Sequence, residues 1–150
     1  ITYGSPDASE DALARAIDLS QSREIIERLP DGLQTKIGAD GTCLSGGEQQ
    51  RIALARAILK DAPIVVLDEA TAFADPENEK LIQQALHELT KGKTVLMIAH
   101  RLTSVQHVDR ILVIEKGRIA EQGTHEELLT QGGLYKSMWE EYQRSVSWTL

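Results

Sequence analysis

The sequence predicts an α/β fold. Short apolar segments rich in β-branched residues alternate with longer segments of helical periodicity. Hydrophobic residues make up 41% of the 150-residue chain and charged residues 26%, a composition that supports a packed core and argues against disorder. The longest apolar runs, such as 95–99, fall far short of the ~20 residues that a membrane-spanning helix needs.

Helices are predicted for most of the N-terminal part. Residues 9–29 predict one helix or two, with Ser9 as the cap and a Pro-Asp-Gly sequence at 30–32 as the end. Residues 33–43 contain glycines but no helical period, so a loop is predicted there. A long helix is predicted over about 46–60, with apolar residues on one side and arginines and glutamines on the other.

Strands and helices alternate in the remainder of the chain. The segment 64–67 is short and apolar, and it predicts a strand buried on both faces, as in a parallel sheet. A second buried strand of the same kind is predicted at 94–99. The other expected elements are a helix over about 76–89, a hairpin of strands 110–115 and 118–122, and two short helices at about 124–130 and 134–142.

Charge and cysteine content narrow the classes of function. The net charge of −7 argues against a surface that binds nucleic acid through bulk positive charge, so no nucleic-acid partner is expected. The single cysteine, Cys43, cannot form an internal disulfide, and no Cys/His cluster has the spacing of a zinc site. Residues 1–20 lack the basic start and apolar centre of a signal peptide. A reducing, cytosolic environment fits these features.

Polar residues follow the two predicted buried strands directly. Asp68-Glu69 follows the first strand and His100 follows the second. In open parallel sheets, ligands bind beyond the carboxyl ends of the strands. Asp68 is suited to hold Mg²⁺, Glu69 to polarise an attacking water, and His100 to donate a hydrogen bond to a terminal phosphate. A helix-capping acidic pair and an ordinary structural histidine remain as alternatives.

A second candidate site immediately precedes the long helix predicted at 46–60. Leu44-Ser45-Gly46-Gly47-Glu48 places a serine cap and two glycines at a helix N-terminus, where free amides and the helix dipole attract anions. The glycines allow the backbone to approach a phosphate closely. The alternative is a plain serine cap in a glycine-rich loop.

In order and spacing, these motifs resemble those of the ATP-binding-cassette (ABC) family. Residues 44–48 resemble its signature motif, and 64–68 resemble its Walker B strand, with Glu69 at the position of the catalytic glutamate. Residues 72–75 resemble the D-loop, and His100 resembles the switch histidine. The resemblance covers nearly the whole chain.

This resemblance implies a partial P-loop NTPase core, with a mostly parallel sheet and flanking helices, plus an α-helical subdomain. About 1–60 would form the helical subdomain with the signature motif, and about 61–150 the half of the core with Walker B, D-loop and switch histidine. ATP and Mg²⁺ are the implied cofactors, with Asp68 as the metal ligand. The implied nucleotide contacts are Leu44, Ser45, Gly46, Gly47, Glu48 and Asp75.

The family pairs two nucleotide-binding domains head to tail, so that each ATP lies between the Walker motifs of one domain and the signature motif of the other. The resemblance therefore implies a second nucleotide-binding domain and a transmembrane domain as partners, at the cytoplasmic face of the inner membrane. The chain has no Gly-x-x-x-x-Gly-Lys-Ser/Thr sequence, the Walker A phosphate loop. We therefore expect the complete protein to hydrolyse ATP and this chain alone to be inactive.

Three positions depart from the family pattern. Glu48 stands where most transporters have glutamine, Ala39 stands where the exporter X-loop has glutamate, and Phe73 is unusual in a D-loop. Glu48 adds a negative charge beside the expected nucleotide. The combination of 44–48 with 70–79 resembles exporter-fold half-transporters that import iron siderophores, such as the yersiniabactin type.

Two other interpretations compete with a transporter. Chromosome-maintenance and DNA-repair ATPase heads also carry Leu-Ser-Gly-Gly-Glu, but a lysine normally follows their glutamate, whereas Gln49 follows here. The acidic net charge also argues against them. A non-catalytic interaction fragment is the second alternative, although the chain retains both Glu69 and His100.

Overall fold

The computed structural model describes residues 1–38, 41–68, 76–99 and 102–147. The chain divides into two compact units, 1–98 and 99–150. The first unit contains, in order, the 3-10 helix Thr2–Gly4, α1 (Glu10–Leu19), α2 (Arg23–Arg28), the 3-10 helix Gly32–Gln34, α3 (Gly46–Lys60), β1 (Ile64–Asp68), α4 (Pro76–Thr90) and β2 (Thr94–Ile98). The predicted helices over 46–60 and 76–89 are therefore confirmed.

The helical stretch predicted at 9–29 forms two helices because the backbone turns between them. Ser9 caps α1 as expected, and its side chain accepts a hydrogen bond of 3.2 Å from the amide of Ala12. Gln21, between α1 and α2, has a φ of 57°, which no helix interior adopts. The flanking Ser20 and Ser22 are buried, and their hydroxyls are 2.8 Å apart and hydrogen-bonded.

Buried Arg51 ties α3 to this turn. Its Nη1 donates a hydrogen bond of 2.8 Å to the carbonyl oxygen of Gln21, and only 6% of the residue is exposed. The prediction that the arginines of α3 lie on its polar side was thus wrong for Arg51. The left-handed turn at Gln21 presents a carbonyl oxygen that the guanidinium can bind, so the arginine is buried with a partner.

The strands β1 and β2 pair in parallel, with Val66 beside Leu96 and Asp68 beside Ile98. In the described part of the chain this sheet has two strands. Its inner face carries Val65 and Leu67, which pack against buried apolar residues of α3 and α4. These helix residues are Leu54, Ile82, Ala85, Leu86 and Leu89.

The prediction that both strands are buried on both faces was wrong. Ile64 and Val66 are 63% and 61% exposed, and Leu96 and Ile98 of β2 are also exposed. Successive strand residues point to opposite faces of a sheet. Because α3 and α4 both contribute to the cluster that includes Val65, the opposite face stays uncovered by them.

The second unit contains the 3-10 helix Leu102–Val105, β3 (Ile111–Glu115), β4 (Arg118–Gly123), α5 (His125–Gln131) and α6 (Leu134–Ser147). The hairpin of β3 and β4 is confirmed: the strands pair antiparallel. They turn at Lys116-Gly117, both with positive φ.

The helix α6 runs further than the predicted 134–142. The N-terminus of α6 is capped by a side chain of β4. The Glu121 carboxylate accepts hydrogen bonds of 2.5 and 2.9 Å from the amides of Leu134 and Tyr135. The described helices include none with the length and apolar character to cross a bilayer.

Candidate functional site

The first turn of α3 is fixed by a capping box at Ser45. This residue is extended, with φ −62° and ψ 161°. Its hydroxyl oxygen accepts a hydrogen bond of 3.3 Å from the amide of Glu48, and the Glu48 carboxylate accepts one of 2.8 Å from the amide of Ser45. Two of the four amides that a helix start leaves unsatisfied are thereby bonded, and the chain enters the helix along one path.

The capping box leaves the amides of Gly46 and Gly47 without a partner inside the helix. These two amides lie at the positive end of the α3 dipole. Ser45 and Gly46 are exposed, so an anion can reach the serine hydroxyl and the first of these amides. Ser45 and Gly46 together therefore form an exposed corner at the helix start, whose groups are able to bind an anion.

The two glycines differ in what surrounds them. A Cβ atom added to Gly46 would have no atom within 4 Å, whereas one added to Gly47 would lie 2.9 Å from Cγ of Asn78 on α4. Gly47 is also buried. The sequence predicts the same role for both glycines, which is to allow close approach of a phosphate. In the structure, the missing side chain of Gly47 makes room for α4, and Gly46 faces open space.

The carboxylate of Glu48 is bonded on both sides. One oxygen accepts from Ser45 of the capping box, and the other forms an ion pair with the Arg28 guanidinium on α2. The Glu48 side chain is 14% exposed. The backbone hydrogen bond from Ser45, and then the bond from Arg28, hold the pKa of this carboxyl below its usual range. The negative charge of Glu48 is therefore compensated by Arg28 of the same chain.

Leu44 anchors the corner in the core of the helical region. It is buried in one cluster with Ile25 of α2 and Ile52 of α3. Gln49 adds a polar link, since its side-chain amide donates a hydrogen bond of 2.8 Å to the carbonyl oxygen of Leu44. Leu44 therefore positions the corner by packing. Its place in the core suits an anchor better than direct contact with a charged ligand.

Three supporting residues escaped the sequence argument: Arg28, Gln49 and Arg51. Arg28 lies 20 positions before its partner Glu48. Arg51 lies 30 positions after its acceptor Gln21. No sequence spacing identifies such partners. One feature of the sequence did indicate a nearby cation: Glu48 stands at a position where most transporters have a neutral glutamine.

Asp68 is the last residue of β1, and its side chain is exposed at the carboxyl end of the strand. Its position and its oxygen donors suit the coordination of Mg²⁺, which needs few protein carboxylates because it retains several waters. The described residues hold no group of three or more His, Cys, Asp or Glu side chains that could bind a metal. Glu69, Asp75 and His100 lie outside the described residues, as do Ala39 and Phe73.

Comparison with known proteins gives one consistent result. The family described as ABC transporter matches residues 8–72, which include the capped corner and β1. The ATP-dependent lipid A-core flippase of Xanthomonas oryzae pv. oryzae is 55% identical over 134 residues, 89% of this chain and 22% of that protein. The chain belongs to the ABC transporter family.

Other ABC transporters agree with this assignment. The mycobactin import ATP-binding/permease protein IrtA of Mycolicibacterium smegmatis is 54% identical over 144 residues, 96% of this chain and 17% of that protein. A solved structure of a bacterial Atm1-family ABC exporter with ATP bound superposes with a TM-score of 0.79 at 41% identity, covering 93% of this chain and 24% of that one.

The chain spans about a fifth of the length of these relatives and corresponds to part of the nucleotide-binding domain of an exporter-fold transporter. The predicted transporter family is confirmed, in preference to a chromosome-maintenance ATPase head. Relatives named for a flippase and for mycobactin import match to a similar degree. This part of an ABC transporter therefore does not distinguish one cargo from another.

Proposed function

We propose that this chain is part of an ATPase domain that, in the complete transporter, binds ATP with Mg²⁺ between two domains and couples its hydrolysis to transport. The observation that carries the proposal is the capped start of α3, where Ser45 and Gly46 are exposed at the positive end of a 15-residue helix. In the proposed assembly this corner contacts the terminal phosphate of ATP held by the second domain.

The chemistry of the corner suits this role. The Ser45 oxygen accepts a hydrogen bond from the Glu48 amide, and the residue is exposed, so in the proposed assembly its hydroxyl turns to donate to a phosphate oxygen. The amide of Gly46 supplies a second donor, and the helix dipole adds a favourable field. All these groups are neutral, so the corner can release the phosphate after hydrolysis more readily than a lysine or arginine would.

At the end of β1 we propose the catalytic half of the site. Asp68 holds Mg²⁺ directly or through water, and Glu69 polarises the attacking water. His100 donates a hydrogen bond to the γ-phosphate, and Asp75 contacts the nucleotide from the D-loop. The Mg²⁺ supplies charge neutralisation of the phosphates when it is bound.

The proposed setting is the cytoplasmic face of the inner membrane, beside a transmembrane domain and a second nucleotide-binding domain. About residues 1–60 serve as the helical subdomain and about 61–150 as the catalytic half of the core. Because the 150 residues contain no Walker A sequence, we propose that this chain alone hydrolyses no ATP. Turnover by the purified chain that Glu69→Gln leaves unchanged would contradict this assignment.

The decisive experiment uses a complete transporter with two distinguishable domains. One arrangement places Gly46→Asp in one domain and a disabled Walker A in the other, and the second places both changes in the same domain. Since the signature corner of one domain faces the ATP of the other, the first arrangement damages one ATP site and leaves one intact. The second arrangement damages both sites.

The measurement is nucleotide occlusion at single sites. Gly46→Asp is the preferred change because a side chain there meets nothing in this chain, whereas one at Gly47 meets Asn78. Gly46→Ala, which adds bulk without charge, is the matched control. Equal occlusion in the two arrangements would show that the corner does not act on the ATP of the partner domain.

A further inference from the structure

The charge balance around Glu48 reveals a residue that no motif includes. Glu48 is the third residue of α3, within one turn of the exposed Ser45 and Gly46. An uncompensated carboxylate at this distance would repel a phosphate, because charges a few ångströms apart near a protein surface interact strongly. The structure supplies a compensating charge: the Arg28 guanidinium, at the last residue of α2, bonds Glu48 Oε1.

The two oxygens of this carboxylate have separate tasks. Oε2 accepts the amide of Ser45 and so completes the capping box. Oε1 bonds Arg28. Glu48 can thus take part in the capping box while Arg28 neutralises its charge. A glutamine at position 48 would carry no charge and would not need an arginine at position 28.

From this arrangement, and given the proposed function, we infer that Arg28 is a positioning residue for ATP at the signature corner. It neutralises the Glu48 carboxylate, whose other oxygen is bonded to the amide of Ser45, so that Ser45 and Gly46 meet the phosphate of ATP without a net negative charge beside them. Arg28 itself acts through Glu48 and needs no contact with the nucleotide.

A purely structural role for Arg28 predicts a different result. Its side chain is 62% exposed, and exposed ion pairs contribute little to stability. Loss of Arg28 should therefore leave the fold intact and change the response to ATP. A second exposed pair in the helical region, Arg23 with Asp18, provides a matched control, with Arg23 Nε 2.5 Å from a carboxylate oxygen of Asp18.

The experiment measures KM for ATP and kcat in the full-length transporter at low and high salt. We expect Arg28→Met to raise KM about five- to tenfold at low salt and less at high salt, because screening weakens the repulsion by the unpaired Glu48. Arg28→Lys keeps the charge and should stay within about twofold of the native value. Arg23→Met should leave KM unchanged.

The Glu48→Gln background provides the sharper comparison. There, Arg28→Met should have no further effect on KM, because no charge remains to be neutralised. The same loss in both backgrounds, or a KM for Arg28→Met equal to that for Arg23→Met, would overturn the inference. If Arg28→Met alone unfolds, the double variant Arg28→Met/Glu48→Gln is compared with Glu48→Gln: an equal KM supports the inference, and a higher KM in the double variant overturns it. The proposed function fails separately, if Gly46→Asp leaves ATP turnover intact.

Discussion

Two helices of this chain begin in the same way and have different surroundings. At α3, Ser45 and Glu48 exchange hydrogen bonds of 3.3 and 2.8 Å. At α5, Thr124 and Glu127 exchange bonds of the same two lengths. The local chemistry of the two capping boxes is therefore equivalent, and the difference in their expected function must come from other groups.

The residues that follow each cap account for part of this difference. At α3 they are glycines, and Gly46 is open to solvent. At α5 the next residue is His125, whose ring bonds the Tyr135 hydroxyl at 2.7 Å and packs edge-on against Trp139. Glu126 then adds a second acid to the first turn. The start of α5 thus carries a half-buried histidine ring and an additional acid, and this acid is unfavourable to anions.

The second part of the difference lies in the charge of the capping glutamate. Arg28 neutralises Glu48 from another helix. The two helix starts therefore share a capping box, and they differ in the exposed glycine and in the charge balance of the capping glutamate. Four sets of measurements test this difference between the two helix starts.

The largest effect is expected when α3 receives the acidic first turn of α5. Gly46→Glu in the complete transporter should lower ATPase activity about a hundredfold, because a negative side chain would lie at the proposed phosphate site. Glu126→Gln, the matching change at α5, should leave activity unchanged. The measurement is the steady-state rate of ATP hydrolysis. Comparable losses of ATPase activity in Gly46→Glu and Glu126→Gln would mean that the two helix starts do not differ as proposed.

Removing each cap should separate stability from function. Ser45→Ala and Thr124→Ala should each cost about 1 kcal/mol of stability, since both delete an equivalent cap. Only Ser45→Ala should also lower ATP turnover, by about tenfold, because a hydroxyl donor to phosphate is lost as well. Thermal unfolding and hydrolysis assays on both variants test this, and an equal loss of turnover would contradict the assignment of Ser45.

A smaller effect is expected at the buried glycine. Gly47→Ala should lower stability by about 1 kcal/mol, because its Cβ would lie 2.9 Å from Cγ of Asn78. Combining it with Asn78→Ala should recover part of that loss. Gly46→Ala, with open space around it, is the control and should be neutral or slightly stabilising. Similar unfolding midpoints for the two glycine variants would show that Gly47 is not constrained by α4.

The smallest effect concerns pH. The folded state lowers the pKa of Glu48, so the ionised carboxylate stabilises the fold above the usual pKa of a glutamic acid. This contribution should disappear as pH falls through the lowered pKa. The stability difference between the native protein and Glu48→Gln should therefore shrink upon acidification below about pH 4.5, the usual range of this group. A difference independent of pH would exclude an ionised Glu48.

Local sequence chemistry determined most of the elements of this protein. The cap at Ser9, the whole of α3 and the β3–β4 hairpin were predicted because their signals act within a few residues. The family, too, was recognisable from motifs along the chain. The capped start of α3 belongs to this group, since a capping box depends on residues within four consecutive positions.

Contacts between distant segments decided the remainder. Burial of Arg51 depends on the carbonyl of Gln21, and the charge of Glu48 depends on Arg28. The different roles of Gly46 and Gly47 depend on where α4 lies. Exposure of Ile64 and Val66 depends on which face of the sheet the helices cover. A sequence specifies which groups need partners, but only the tertiary structure brings those partners within hydrogen-bonding distance.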